Sequence, residues 1–306
     1  MTESRAMSPV SRAWFAMHAC VFLWGFTGIL GRLITIEPLS LVWWRMLIVT
    51  SSLFLVRRFW VGLSALSRRS ILVFAGTGVL LSLHWVTFYA SVKLANASVA
   101  ATCMALAPVI IALVEPSIAR RPFDVRELLF GVAAIPGVAL VVGGTPSAMR
   151  LGVGMGALSA AFIAVVSCLH KRFAANASAF AVTGIEMAAG VLFLPLLALL
   201  LQPESSLFGV PGPRDTLWLL VLAFGCTLLP YVLSLVALRR LSAFGSALAV
   251  NLEPVYTILL AMLFFGEQHE LSLRFYAGAA VLVGVVFSHP LLMRPKAAPA
   301  PSNLPA

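Results

Sequence analysis

Residues 241–267 read LSAFGSALAVNLEPVYTILLAMLFFGE. From Ser242 to Phe264 the side chains are almost all apolar or small. Such a run, about 23 residues, is long enough to cross a bilayer core of roughly 30 Å. Its middle, however, is Asn251-Leu252-Glu253-Pro254. Proline removes a backbone donor and displaces the carbonyl of Val250, so a kink is expected there. Glu253 falls about 11 residues past Ser242, or ~17 Å along a helix, close to the midplane. A carboxyl beside a broken helix at that depth is expensive, and the first expectation for it is a functional pathway.

The stretch has an earlier copy. Residues 94–113 read LANASVAATCMALAPVIIAL. An offset of 146 places Ala97 on Ala243, Ala101 on Ala247, Leu106 on Leu252, Pro108 on Pro254, Val109 on Val255 and Leu113 on Leu259. After a one-residue gap, Gly131 falls on Gly278. The chain reads as two tandem halves, and internal duplication has to be settled before fold.

Of the 306 residues, 61% are hydrophobic and 10% charged, with a mean hydropathy of +1.01. Soluble domains carry about 25% charged residues. The expected class is therefore an all-α integral membrane protein. The net charge of +10 does not point to nucleic acid, because the basic residues sit in short loops between apolar runs, where they act as a topology signal. Cys20, Cys103, Cys168 and Cys226 all lie inside apolar runs, with no CxxC and no Cys/His cluster. They read as small buried hydrophobes, and neither a disulfide, a metal nor a cofactor is expected.

Apolar runs fall at 13–33, 39–60, 70–91, 95–119, 125–142, 151–169, 179–201, 216–238, 242–264 and 273–292. Each is near the ~20 residues a crossing needs, which predicts ten transmembrane helices. Arg5 and Arg12 precede a first run that lacks a small-residue cleavage site, so an uncleaved span is expected. Fifteen Lys and Arg lie in alternate loops and at the termini, against five on the other side: Arg32, Lys93, Arg150, Arg214 and Arg274. That bias puts both termini in the cytoplasm, in the inner (cytoplasmic) membrane of a bacterial-type cell. The expected organisation is a cytoplasmic N-terminus at 1–12, a first five-helix repeat at 13–143, a second at 151–292 and a disordered tail at 293–306. Five is odd, so homologous halves must face opposite ways, as two inverted five-helix repeats. That architecture is typical of secondary transporters, with the site at the midplane between repeats.

Trp24-Gly25, Arg45, the two A-x(3)-A…P-V helices and the phrase Leu263-Phe264-Phe265-Gly266-Glu267 together resemble the EamA-type transporters of the drug/metabolite transporter superfamily. The resemblance spans about residues 14–290. It implies ten helices around a central cavity and carriage of small metabolites, often amino acids, usually outward. The first half departs from the pattern: Arg120-Arg121 stands where the second half has Gly-Glu, and Glu115 appears earlier.

The intramembrane polar residues are the site candidates. Arg45, about 9 Å from the outer end of its span, either holds a substrate carboxylate or is pinned to helix carbonyls or an acid. Glu186 aligns with Arg45 at an offset of 141 and reads as a coupling site or a buried structural acid. His84 either faces the pore or hydrogen-bonds a neighbouring helix. Glu115 is expected to pair with Arg120 or Arg121, and Glu267 and Glu270 to be solvated. Trp24, Trp44, Trp85, Tyr89, Tyr231 and Tyr256 suggest an aromatic cavity; Trp85 and Tyr231 align at the offset of 146. Pro108 and Pro254 free the carbonyls of Met104 and Val250 for a substrate, and Asn251 lies beside them. Gly152-x(3)-Gly156 and Ala280-x(3)-Gly284 read as close-packing steps.

The expected activity is secondary transport of a small molecule by alternating access at a midplane cavity, with possible coupling to protons. The chain has no Walker A motif, so ATP is not expected to drive it. Uptake or exchange stands beside export. A membrane-embedded lipid enzyme would need an HExxH, paired Asp or Ser/His cluster, which the sequence lacks. A non-transporting scaffold would need no midplane acid.

Overall fold

The computed structural model describes residues 8–119, 125–174, 177–201, 207–238, 241, 249–250 and 252–292. Asn251, Arg120, Arg121 and the Pro/Ala-rich tail lie outside the described residues. Among those described, every regular element is helical. The first half runs α1 (Pro9–Leu33), α2 (Pro38–Phe54), α3 (Arg57–Ser64), α4 (Arg68–Leu94), α5 (Ala97–Met104), α6 (Ala107–Ala119) and α7 (Val125–Gly144). The second half runs α8 (Arg150–Phe173), α9 (Ala179–Leu201), α10 (Pro213–Leu220), a π-helical segment Val221–Leu228, α11 (Leu229–Leu238), α12 (Glu253–Phe265) and α13 (Leu273–Leu292).

The helix starts follow local chemistry. Ser8 and Ser67 accept from the amides of Ser11 and Ser70, and Asn96 from that of Val99, so side chains satisfy N–H groups that a helix leaves open. Proline opens α1, α2 and α10, where its missing donor costs nothing.

Among the described residues, five helical stretches are each long and apolar enough to cross a bilayer, one of them the α5–α6 stretch Ala97–Ile118, and a sixth is added if the bent pair α2–α3 counts as one. The other apolar runs are shorter or interrupted helices, such as Val132–Gly144 and Glu253–Phe265. The second run ends earlier than expected: α2 stops at Phe54 and the chain turns by 85° into α3. Arg57 and Arg58 open α3, and a charged pair cannot continue into hydrocarbon.

Glycines set how closely the helices approach. A Cβ on Gly78 of α4 would lie 2.3 Å from the Glu186 carbonyl oxygen of α9. A Cβ on Gly152 or Gly156 of α8 would lie 2.6 Å from Ala95 Cβ or 2.8 Å from Cys103 Cβ, so that expected packing step is used. Gly284 has open space around it, and Gly278 does the packing on α13 instead, against the Gly137 carbonyl of α7. The last helix of each half thus packs on its counterpart. All four cysteines are buried and none is in a disulfide.

Candidate functional site

Arg45 is 3% exposed, on the inner side of α2. Its Nε donates to Thr227 Oγ1 at 3.0 Å and its Nη1 to the Tyr89 hydroxyl at 2.9 Å, while the guanidinium lies 3.8 Å from the centre of the Trp85 ring. Thr227 arrives on the π-helical segment, where its hydroxyl donates back to the Leu222 carbonyl at 2.9 Å. Such wide turns are rare and cluster at functional sites. Among the described residues, Arg45 makes no ion pair and its Nη2 makes no hydrogen bond. A desolvated cation with only neutral partners favours an anionic guest, because the planar fork still has a donor to offer.

Glu253 opens α12 and is half-buried. Its carboxyl makes no hydrogen bond among the described residues, and Arg45 is the cation whose field reaches it. The two groups are within electrostatic reach of each other, with no ion pair between them among the described residues. Pro254 is buried at the second position of α12, so the helix is interrupted at Leu252 rather than bent within a continuous run. The first half repeats the device: α5 stops at Met104, Ala105 and Leu106 turn, and α6 restarts at Ala107 with Pro108 next. Met104 and Pro108 are both half-buried.

Small residues on α1 make room for this region. A Cβ on Gly25 would lie 3.0 Å from Tyr256 Cβ, and one on Gly31 would lie 2.5 Å from the Tyr89 ring. The Thr257 hydroxyl donates to the Gly25 carbonyl at 3.1 Å. Trp24 and Tyr256 are half-buried in one apolar cluster, with Phe22 edge-on to Tyr256 at 5.6 Å. Gly28 and Gly31 were not among the sequence candidates, and the one local signal that could have found them is the spacing of three they share with Gly25.

Other candidates lie elsewhere. The His84 ring bonds Ser159 on α8, with Nδ1 3.0 Å from the carbonyl and 2.8 Å from the hydroxyl, which is the core-histidine alternative. The Trp44 indole donates to the Gly209 carbonyl at 3.1 Å and stands edge-on to Trp43, as an anchor to the loop after α9. Glu186 is 3% exposed and bonds His170 Nε2 at 2.5 Å, so it is not a partner of Arg45. The Tyr231 hydroxyl is buried without a hydrogen bond of normal geometry; Thr183 and Glu186 are its polar neighbours. The duplication therefore pairs opposite chemistries. Arg45 with Trp85 in one half matches Glu186 with Tyr231 in the other. Glu115 pairs with Lys171 of α8.

The expectation of solvated Glu267 and Glu270 is overturned for Glu267, which is fully buried. Gly266 ends α12 at φ 65°, a left-handed turn that glycine adopts freely, and this swings Glu267 back under the helix. Its carboxylate accepts from Arg32 at 2.5 Å and from the amides of Ala97 and Ser98 at 3.1 and 2.8 Å. An anion is thus set on the positive end of α5. Glu270 takes Arg32 at 2.9 Å and Asn96 at 2.9 Å. Burial pushes the Glu270 carboxyl up, but the hydrogen bonds from Asn96 and Arg32 outweigh it and hold it below the usual carboxylate value. Nearby, the Lys93 ammonium donates to the Ile34 carbonyl, and Asp215 takes the Thr35 amide and hydroxyl at 2.9 and 2.6 Å. This polar layer ties α1, α5, α10 and α12 at the end of the bundle opposite to α3.

The sequence model of the EamA-like transporter family matches residues 12–143 and again residues 150–289. No curated protein sequence matches the chain. One solved chain, a crystal structure of a protein, superposes with a TM-score of 0.58 at 18% identity, over 92% of this chain and 99% of its own. That likeness is one of fold.

Proposed function

Because the chain belongs to the EamA-like transporter family, and is therefore a multi-pass membrane protein of the drug/metabolite transporter superfamily, we propose that it is an inner-membrane secondary exporter of small carboxylate-bearing metabolites such as amino acids. The observation that carries this reading is the Arg45 guanidinium, buried among Trp85, Tyr89 and Thr227, with no acid paired to it among the described residues. Arg45 holds the substrate carboxylate, and the half-buried aromatic rings of Trp24, Trp85 and Tyr256 flank it. The breaks before Pro108 and Pro254 are the points at which two inverted repeats, ten spans in all, alternate access. A metabolite screen of cells overproducing the protein, read as export into the medium, followed by flux into proteoliposomes, tests it. No carboxylate substrate in either assay overturns it.

Glu253 is the coupling group in this reading. Its repeat counterpart is Ala107, so the acid is not part of the shared architecture. Glutamine keeps its shape but cannot ionise. Glu253→Gln is expected to abolish pH-driven accumulation while leaving substrate exchange intact. Net flux and exchange measured side by side between about pH 5.5 and 8 check it, a range in which a half-buried carboxyl can titrate. Unchanged pH dependence in the variant removes the coupling role.

The distribution of Lys and Arg supports cytoplasmic termini. A reporter that is active only in the periplasm, fused after Ala306, is expected to stay silent, and one that is active only in the cytoplasm to give signal. The reverse pattern overturns the orientation and the inverted repeat with it.

A further inference from the structure

α3 stands apart from the transport machinery just proposed. It turns 85° from α2, so where α2 crosses the bilayer α3 lies nearly in its plane. One side is fixed to the second repeat. Phe59 is 2% exposed, and a Cβ on Gly184 of α9 would come within 2.4 Å of its ring; Gly62 meets Ser178 and Ala181 equally closely. The opposite side is bare: Trp60 and Val61 are 51% and 60% exposed, and Leu55, in the turn before α3, is 89% exposed. Arg57 and Arg58 precede this face and Arg68 and Arg69 follow it, all four exposed and none paired with an acid among the described residues. The Arg58 guanidinium rests 5.8 Å from the Phe180 ring of α9.

We propose that α3 and its flanking arginines form a binding site for anionic phospholipid in the cytoplasmic leaflet. Two features select a lipid over free phosphate. The exposed apolar residues need hydrocarbon to cover them, and the in-plane helix places them at its edge, beside arginines at headgroup level. The duplication supplies a third observation. In an inverted repeat, the counterpart of α3 lies after α9, on the outer side. There the chain reads Gln-Pro-Glu-Ser-Ser-Leu-Phe-Gly-Val-Pro-Gly from Gln202 to Gly212, with one acid, and the single Arg214 follows at the start of α10 where α4 has Arg68-Arg69. Both ends of a mere helix connection would be built alike. The version with two arginine pairs and an exposed tryptophan stands on the side whose membrane surface is negative, while the other carries Phe208 and a single arginine. Because Phe59 and Gly62 fasten α3 to α9, a headgroup held here braces the first repeat against the second. The proposal rests on the cytoplasmic placement argued above, which the reporter fusions test separately.

The full-length protein, purified in detergent, is titrated with dioleoylphosphatidylglycerol, with dioleoylphosphatidylcholine and with inorganic phosphate, and its thermal midpoint is followed. Phosphatidylglycerol is expected to raise the midpoint, and the other two to leave it unchanged. Replacing Arg57 and Arg58, or Arg68 and Arg69, with Gln should weaken the apparent affinity roughly thirtyfold for each pair. Arg→Lys at all four positions should retain most of it, since charge is kept. Loss of four charges also weakens the topology signal. If the Gln variants do not accumulate, titration of the wild type at low and high salt decides, because headgroup attraction is screened. A shift that phosphatidylcholine or phosphate reproduces, that survives the Gln substitutions, or that salt leaves unchanged, overturns the site.

Discussion

Replacing Glu267 with alanine should lower the thermal midpoint of the detergent-purified protein by about 6–12 °C. The carboxylate is fully buried, and it satisfies Arg32 and the first two amides of α5 at once. Removing one member of a buried pair strands the other and costs about 3–5 kcal/mol; Arg32 is partly exposed and keeps Glu270, so about 3 kcal/mol is the better figure. For a chain of this size each kcal/mol moves the midpoint by about 2–4 °C. Glu267→Gln keeps an acceptor for an amide but loses the charge, so it should fall between wild type and alanine. A double-mutant cycle with Arg32→Ala isolates the pair. An alanine variant that melts with the wild type would show that the clasp contributes nothing. Glu270 adds a pH dependence. Its folded value is below its unfolded value, so its contribution is present at neutral pH and is lost as pH falls below about 4. Glu270→Gln should flatten that acid decline.

The second large effect is on transport. Arg45→Lys should reduce flux of the carboxylate substrate by about 10- to 100-fold at equal protein in the membrane. Lysine is a point charge that cannot reach Thr227 and Tyr89 together while stacking on Trp85. Each lost bond to a charged group is worth about 1.5–3 kcal/mol, part of which the ammonium recovers by reorienting. Tyr89→Phe and Thr227→Val should cost less, since they orient Arg45 without supplying its charge. Proteoliposome flux checks all three, with the thermal midpoint as control. Normal flux in Arg45→Lys, or a protein that does not accumulate, removes the substrate role and leaves Arg45 a strut of the bundle.

Much of the fold could be read along the chain because bilayer crossing is a local property. A run of apolar residues announces itself without reference to the rest. The interruptions at Pro108 and Pro254 were legible for the same reason: proline breaks a helix wherever it stands. Arg45 and Glu253 were legible because ionisable groups are rare at that depth. What escaped was non-local. Glu267 looked like a solvated residue because its partners, Arg32 and the Ala97 amide, lie 235 and 170 positions away in sequence. Gly266 followed by an acid was the only local trace. The π-helical register that delivers Thr227 leaves no periodic mark. Arg57-Arg58 fell inside the apolar run at 39–60, and nothing local showed that the chain would turn before them and lie flat. Trp44 and His84 belong to the residue types a cavity uses, and only their partners Gly209 and Ser159 reveal that they serve elsewhere.

The clasp also bears on the order in which the protein is made. Glu267 leaves the ribosome 170 residues after Ala97, the residue whose amide it must accept. At about 5–20 residues per second that is a delay of roughly ten to thirty seconds. Throughout it, the first turn of α5 waits with the amides of Ala97 and Ser98 unanswered and Arg32 without its buried partner. The first half therefore enters the bilayer provisionally, and it is sealed only when the end of the second half arrives.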